Sequence, residues 1–371
     1  MFEAKALSTI YRQNKTALER LVDLERELNQ RFFGMESAIG CMMLAAMTGE
    51  AMVMIGPPGT AKSRLVRSFC NLLGILDDEA LSATRDEGGK EEIRRGERYF
   101  EYLLTQFTEP SELFGYFDLG KLFGADGQRE LARKTEGMMQ KAEVVFLDEV
   151  FNASSAILNS LLTFMNERKF HDRGTVYRTP LRLLFSATNH PPREEGLGAV
   201  YDRFLLRCRL ENVAGAPGNF ANLIDAAWRE THATPHADAT RFETLLGDLD
   251  RYRAQVDEMT ADGTLAVRKD DRLFARLADM VVDLRRKELS QMSNRRLVKF
   301  AGVIMANALL RTARAGGDAP MIEPVDLAVI LHYGLDAEDE GAVRKALDHL
   351  TGAWARHGFC RSPKVREDRR A

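Results

Sequence analysis

Apolar residues recur at three- to four-residue steps through Leu7, Tyr11, Leu18, Leu21, Val22 and Leu28, with Arg, Glu and Asn between them. That period predicts one amphipathic helix over residues 1–30. A short apolar helix ending at Gly49 follows, then a strand over 51–55. Helical spacing returns from Ser63 to Leu73 and stops at Gly74, a C-cap signal. Residues 77–96 are polar, contain Gly88-Gly89 and read as a loop, and 99–108 alternates as a strand. Val144-Val145-Phe146-Leu147 and residues 181–185 are continuous apolar runs bounded by turn residues, the pattern of strands buried on both faces. A helical pattern over 156–167 separates them, and 205–210 reads as a last strand. Strand–helix alternation of this kind implies a three-layer α/β domain with a mostly parallel sheet. After residue 212 the character changes. Gly215, Pro217, Gly218 and Pro235 read as a linker, and helices are expected over 274–289, 296–313, 325–333 and 340–357. Residues 361–371 are highly charged and read as a frayed tail.

Composition narrows the classes that fit this pattern. With 371 residues and 45% hydrophobic content, the chain is long enough for two or three domains with full cores. Lys+Arg 52 against Asp+Glu 55 leaves a net charge of -3, which argues against duplex nucleic acid as the main partner. The most apolar window, 39–55, is broken by Glu50 and leads into a glycine loop, so no membrane span is expected. Cys41, Cys70, Cys208 and Cys360 lie far apart with no CxxC pair. They read as buried free thiols in a reduced, cytoplasmic compartment.

The candidate chemistry begins at Gly56-Pro57-Pro58-Gly59-Thr60-Ala61-Lys62-Ser63. It resembles a Walker A loop, whose backbone N–H groups cradle phosphates while Lys reaches the β/γ-phosphates and Ser holds Mg²⁺. Its position between an apolar strand and a periodic helix is the context the motif demands. Ala61 stands where glycine is usual, which is acceptable if that residue has φ below zero, as at a helix start. Asp148 and Glu149 close an apolar strand at the edge where open α/β sheets bind ligands. Asp148 is suited to hold Mg²⁺, and Glu149 to orient and deprotonate an attacking water. A third strand runs out through Ser186-Ala187-Thr188-Asn189, whose amide could touch the γ-phosphate or simply turn the chain.

These segments, with Tyr201-Asp202-Arg203-Phe204 after them, occur in the order seen in AAA+ ATPases of the MoxR branch, which the chain resembles. Thr108-Glu109-Pro110, Leu113-Phe114-Gly115 and Leu161-Leu162-Thr163-Phe164-Met165-Asn166-Glu167-Arg168 look like its RavA subgroup, as does Ala61 within the loop. The resemblance runs from about residue 7 to about 358. It implies an αβα nucleotide-binding domain over 31–211, preceded by the 1–30 helix. A linker and first lid segment over 212–260, an all-helical lid over 261–358 and a charged tail over 359–371 would follow. A helix-2 insert is implied at 111–137 and a pre-sensor hairpin at 170–180, around Gly174. Such loops commonly face a central pore, where Phe114, Tyr116 and Phe117 could touch substrate, although packing of the insert is the favoured use. RavA-type proteins carry a further C-terminal module, for which no length remains here, so its partner is not expected.

By the same resemblance, the phosphate loop and Arg64 bind ATP with Mg²⁺, Asn189 is sensor 1 and Arg203 the arginine finger. Arg295 is sensor 2, with Arg296 a weaker candidate. An arginine finger adds about 10³–10⁵ in rate to phosphoryl transfer. Arg203 is poorly placed to reach its own nucleotide, so the expected active species is a ring of copies, a hexamer, with sites at subunit interfaces. Pairing of Arg203 with Asp202 is the competing reading. The implied function is an ATP-driven remodelling motor or chaperone acting with a von Willebrand factor A-domain protein. Magnesium-chelatase-like motors, nucleic-acid translocases and a nucleotide-gated scaffold are the alternatives.

Overall fold

The computed structural model describes residues 1–76, 83–85, 91–93, 98–118, 120, 132–172, 175–192, 195–213, 217–232, 241–268 and 271–336. The chain divides into two compact units, Glu19–Arg251 and Met1–Leu18 with Tyr252–Ala371.

The first unit is built on a five-stranded sheet of β1 (Met52–Ile55), β4 (Tyr99–Leu103), β5 (Val144–Asp148), β8 (Leu183–Thr188) and β9 (Leu206–Arg209). The order is β4-β5-β8-β1-β9 and every pairing is parallel, with Met54 level with Ala187 on one side and Cys208 on the other. The apolar runs predicted as doubly covered strands are covered on both faces. Val53, Val145, Leu147 and Leu184 join a core with Ile157, Leu161, Phe164 and Phe204. On the other face Phe185 meets Phe69 of helix Lys62–Leu72 edge-on, with centroids 5.5 Å apart. This is the three-layer α/β arrangement with a mostly parallel sheet, and β1 lies at its switch point.

Several boundaries differ from expectation for local reasons. β4 ends at Leu103 because Thr105 and Thr108 form a turn and Pro110 opens helix Pro110–Phe114. Within 77–96, read as loop, β2 (Ala83–Arg85) pairs antiparallel with β3 (Glu91–Ile93). Its residues carry no apolar alternation by which a strand is recognised. Gly88-Gly89 lie outside the described residues. Pro217 and Gly218, read as linker, start helix Pro217–His232, since proline is tolerated in a first turn where its missing N–H is not needed. Helix Ser155–Glu167 is capped by Ser154 and ends at Arg168, which is left-handed at φ 51°. The Arg168 guanidinium donates to Leu181 O at 2.5 Å and Gly49 O at 2.9 Å, fastening this helix end to the chain beside β1 and β8. β6 (Lys169–Asp172) and β7 (Thr175–Arg178) form an antiparallel hairpin. Its expected turn at Gly174 lies outside the described residues.

The second unit is helical. Its N-terminal stretch places Leu7, Ile10 and Tyr11 in the interior, where Tyr11 Oη donates to Gly317 O at 2.9 Å. Helices Arg272–Arg286 and Asn294–Arg314 are capped by Asp271 and Ser293, and Val303, Ile304 and Leu309 of the latter are buried. Predicted helix 325–333 is a 3₁₀ turn, Pro324–Ala328, followed by Val329–Tyr333. The expected helix over 340–357 and the charged tail lie outside the described residues. No helix among the described residues is long and apolar enough to cross a membrane. Cys41, Cys70 and Cys208 are buried free thiols, and burial pushes Cys208 up to about 12, which keeps it protonated and unreactive. Cys360 is not among the described residues.

Candidate functional site

The site is assembled at the C-terminal edge of β1, β5 and β8. Gly56 leaves β1 with its N–H donating to Thr188 O at 3.1 Å. A Cβ there would lie 2.5 Å from Leu210 O, so only glycine lets β1 turn this close to the end of β9. Gly59 follows at φ +84°. Ala61 does not have the negative φ expected of it: it is left-handed at φ 58°, ψ 24°, immediately before helix Lys62–Leu72. Ala61 turns the chain into that helix without glycine's freedom. A left-handed L-residue is strained by about 1–2 kcal/mol, and glycine's extra unfolded-state freedom offsets part of that relief. Ala61→Gly is therefore expected to stabilise the fold by about 0.5–1 kcal/mol, a rise of about 1–4 °C in thermal midpoint for a domain of this size. A lowered midpoint would show that the loop holds Ala61 without strain.

Lys62 is 7% exposed, and its Nζ donates to Gly56 O at 2.7 Å, Pro57 O at 3.1 Å and Asn189 Oδ1 at 3.3 Å. Burial lowers its pKa, while the charges of Asp148 and Glu149 act to raise it. Ser63 Oγ donates to Asp148 Oδ2 at 3.3 Å, and Asp148 Oδ1 accepts the Glu149 N–H at 3.0 Å. Glu149 is itself left-handed, at φ 51°, and its Oε2 accepts from Asn152 Nδ2 at 3.3 Å. Lys62 with Asn189, and Ser63 with Asp148 and Glu149, thus form two hydrogen-bonded groups drawn from three strand ends and joined by the chain step from Lys62 to Ser63. The paired hydroxyl and carboxylate of Ser63 and Asp148 are hard oxygen donors of the kind magnesium takes alongside phosphate oxygens and water.

The other predicted residues lie outside that cluster. Arg203 follows the short helix Gly198–Tyr201, its N–H donating to Val200 O at 3.0 Å. Its Nε is buried with no hydrogen-bond partner among the described residues. No ion pair joins it to Asp202 or another acid among the described residues. Arg295 stands in the first turn of helix Asn294–Arg314, in the other unit. Arg296, the weaker candidate, is 1% exposed and paired with Asp336 at 2.8 Å and Gly334 O at 2.9 Å. Those bonds make it part of that unit's interior.

A pocket beside the phosphate loop is absent from the sequence reading. It encloses about 130 Å³ between Phe33, Met35, Val213 and Leu223, with Arg64 and Glu230 also lining it. Gly34 allows the close approach, at φ +78° with a virtual Cβ 3.0 Å from Val213. A mostly apolar pocket bordered by Gly59, Thr60 and Ala61 of the loop is of the kind that takes a planar heterocycle. The one sequence signal was Phe32-Phe33-Gly34-Met35, a hydrophobic break between two helices.

The three insert aromatics divide. Phe114 is 2% exposed and stacks on Phe170 of the hairpin at 4.5 Å, so it packs. Tyr116 is 59% exposed, and Phe117 lies under the Arg133 guanidinium at 4.3 Å. Arg133 also pairs with Asp172 at 3.3 Å, joining the described part of the insert to the hairpin.

Comparison with known proteins bears on the family and the fold. The family profile for the MoxR domain in the MoxR-vWA-beta-propeller ternary systems matches residues 19–84 and 91–250. An uncharacterised protein of Methanocaldococcus jannaschii is 28% identical over 343 residues, 91% of this chain and 76% of its own length. A second from the same organism is 35% identical over 205 residues, where the match spans 55% of this chain and 48% of the relative. Among solved structures, a Cytophaga hutchinsonii protein with a provisional ATPase assignment superposes with a TM-score of 0.58. It shares 14% identity and is covered over 96% of its length and 91% of this chain, a likeness of fold.

Proposed function

Since the chain belongs to the MoxR family of AAA+ ATPases, we propose that it is an ATP-driven remodelling motor whose working form is a closed, six-membered ring. The observation that carries this reading is the convergence at the sheet edge of two bonded groups, Lys62 with Asn189 and Ser63 with Asp148 and Glu149. Backbone N–H groups of residues 56–63 cradle the phosphates, and Lys62 swings from its carbonyl acceptors onto the β/γ-phosphates. The slot lined by Phe33, Met35 and Val213 takes the adenine, with Arg64 beside it. Magnesium, held by Ser63 and Asp148, would neutralise charge on the phosphates. Glu149 accepts the proton of the attacking water, and Asn189 positions that water and the γ-phosphate. Arg203 reaches the nucleotide of the adjacent subunit, and Arg295 acts as the lid's sensor.

The partner we propose is a von Willebrand factor A-domain protein, with a β-propeller protein as third component, as the matching family's description suggests. Finer membership of the RavA subgroup rests on Ala61, Thr108-Glu109-Pro110, Leu113-Phe114-Gly115 and the 161–168 segment. No membrane span is proposed, a cytoplasmic setting is, and nucleic acid is disfavoured by the charge balance. The test is ATP turnover by the purified ring with and without the A-domain partner. Stimulation by the partner supports a motor coupled to it. Turnover that the partner leaves unchanged, with nucleotide still required for assembly, would replace the motor with a nucleotide-gated scaffold.

A further inference from the structure

The turn that carries Arg203 is short, following the four-residue helix Gly198–Tyr201. Arg207, four residues on in β9, is 4% exposed and points back under that turn. Its Nη2 donates to Tyr201 O at 2.7 Å and its Nε to Phe204 O at 3.0 Å. Those two carbonyls bracket Asp202 and Arg203, so one planar fork grips the backbone on both sides of the finger. The same guanidinium lies 3.7 Å over the Tyr201 ring. Tyr201 in turn packs edge-on against Phe151 at 5.6 Å, and Phe151 meets Phe204 at 6.0 Å. Phe151 is two residues beyond Glu149. The strand that carries Arg207 pairs with β1, and Leu210 beyond it closes on Gly56 at the start of the phosphate loop.

A buried guanidinium is expensive unless its donors are used, and here the spending of two donors on adjacent carbonyls fixes a turn that no sheet pairing fixes. We propose that Arg207 is a positioning residue that holds Arg203 in the orientation it needs to reach the neighbouring subunit's nucleotide. This rests on the reading of Arg203 as a finger acting between subunits, and the experiment separates the two claims. Arg207 has no role in its own subunit's nucleotide chemistry, so a variant should keep an intact site and offer a defective finger.

The test compares Arg207→Met, Arg207→Lys and Arg203→Ala, each alone and in rings shown to be mixed with Glu149→Gln. Arg207→Met should bind ATP within about threefold of the parent and lose about 10²-fold in kcat, the loss expected from misplacing a charge-stabilising group by about 1 Å. Arg207→Lys, which cannot bridge both carbonyls, should fall between it and the parent. Mixed with Glu149→Gln, both Arg207 variants should regain turnover, because their bases are then served by intact fingers. Recovery with Arg203→Ala but with neither Arg207 variant would show that Arg207 supports folding alone, and overturn the proposal. Recovery with none of the three would overturn the finger reading on which it rests. Should Arg207→Met fail to fold, Arg207→Lys carries the comparison unchanged.

Discussion

Glu149→Gln is expected to bind ATP like the parent and hydrolyse it about 10²–10⁴-fold more slowly, the range associated with loss of a general base. The substitution is conservative in every respect but basicity. Gln has the same length, and its amide oxygen can still accept from Asn152, which reaches Glu149 Oε2 at 3.3 Å. The backbone strain at φ 51° is the same for both residues, so folding should be unaffected. Lys62 loses one of the two carboxylate charges that raise its pKa but retains Asp148, so phosphate binding survives. Fluorescent-nucleotide affinity and steady-state phosphate release measure the two quantities. Normal turnover would remove Glu149 as the base, and lost affinity would assign it to binding.

Arg203→Ala has the larger expected effect. An arginine that stabilises charge developing on the transferring phosphoryl group contributes about 10³–10⁵ in rate, or about 4–7 kcal/mol. Arg203 Nε is buried without a partner among the described residues, so truncation strands no bonded acceptor there. The turn itself is held by backbone bonds at Val200 and by the Arg207 fork, which remain. Unaltered ATP affinity with a kcat lower by 10³-fold or more is therefore expected. Strongly reduced affinity would place Arg203 in its own subunit's site.

Much of the first unit was legible because its signals are contiguous. The run Val144-Val145-Phe146-Leu147 is apolar since both faces are covered, and Asp148 marks where that cover ends at the sheet edge. Phosphate-loop glycines show in sequence for the same reason: Gly56 abuts Leu210, and no larger residue fits. What escaped depends on residues far apart. Phe33 and Met35 form a pocket only once Val213 and Leu223 fold against them. Arg207 looks like an ordinary strand residue until Tyr201 turns beneath it. Ala61 misled in a different way. Its identity suggested a helical φ, whereas the turn from β1 into helix Lys62–Leu72 holds it left-handed at φ 58°. Arg296 and Arg295 are adjacent and chemically equivalent in sequence, and only burial beside Asp336 tells them apart.

In the proposed ring, each active site is completed by a second copy of the chain. Mixing Arg203→Ala with Glu149→Gln subunits and measuring ATP turnover against composition tests it most directly. Each variant alone should be nearly inactive. In mixed rings, an Arg203→Ala subunit with an intact base lies next to a Glu149→Gln subunit with an intact finger, so turnover should rise to a maximum at intermediate ratios. Turnover that stays at the level of the separate variants, in rings shown to contain both, would show that Arg203 does not act between subunits.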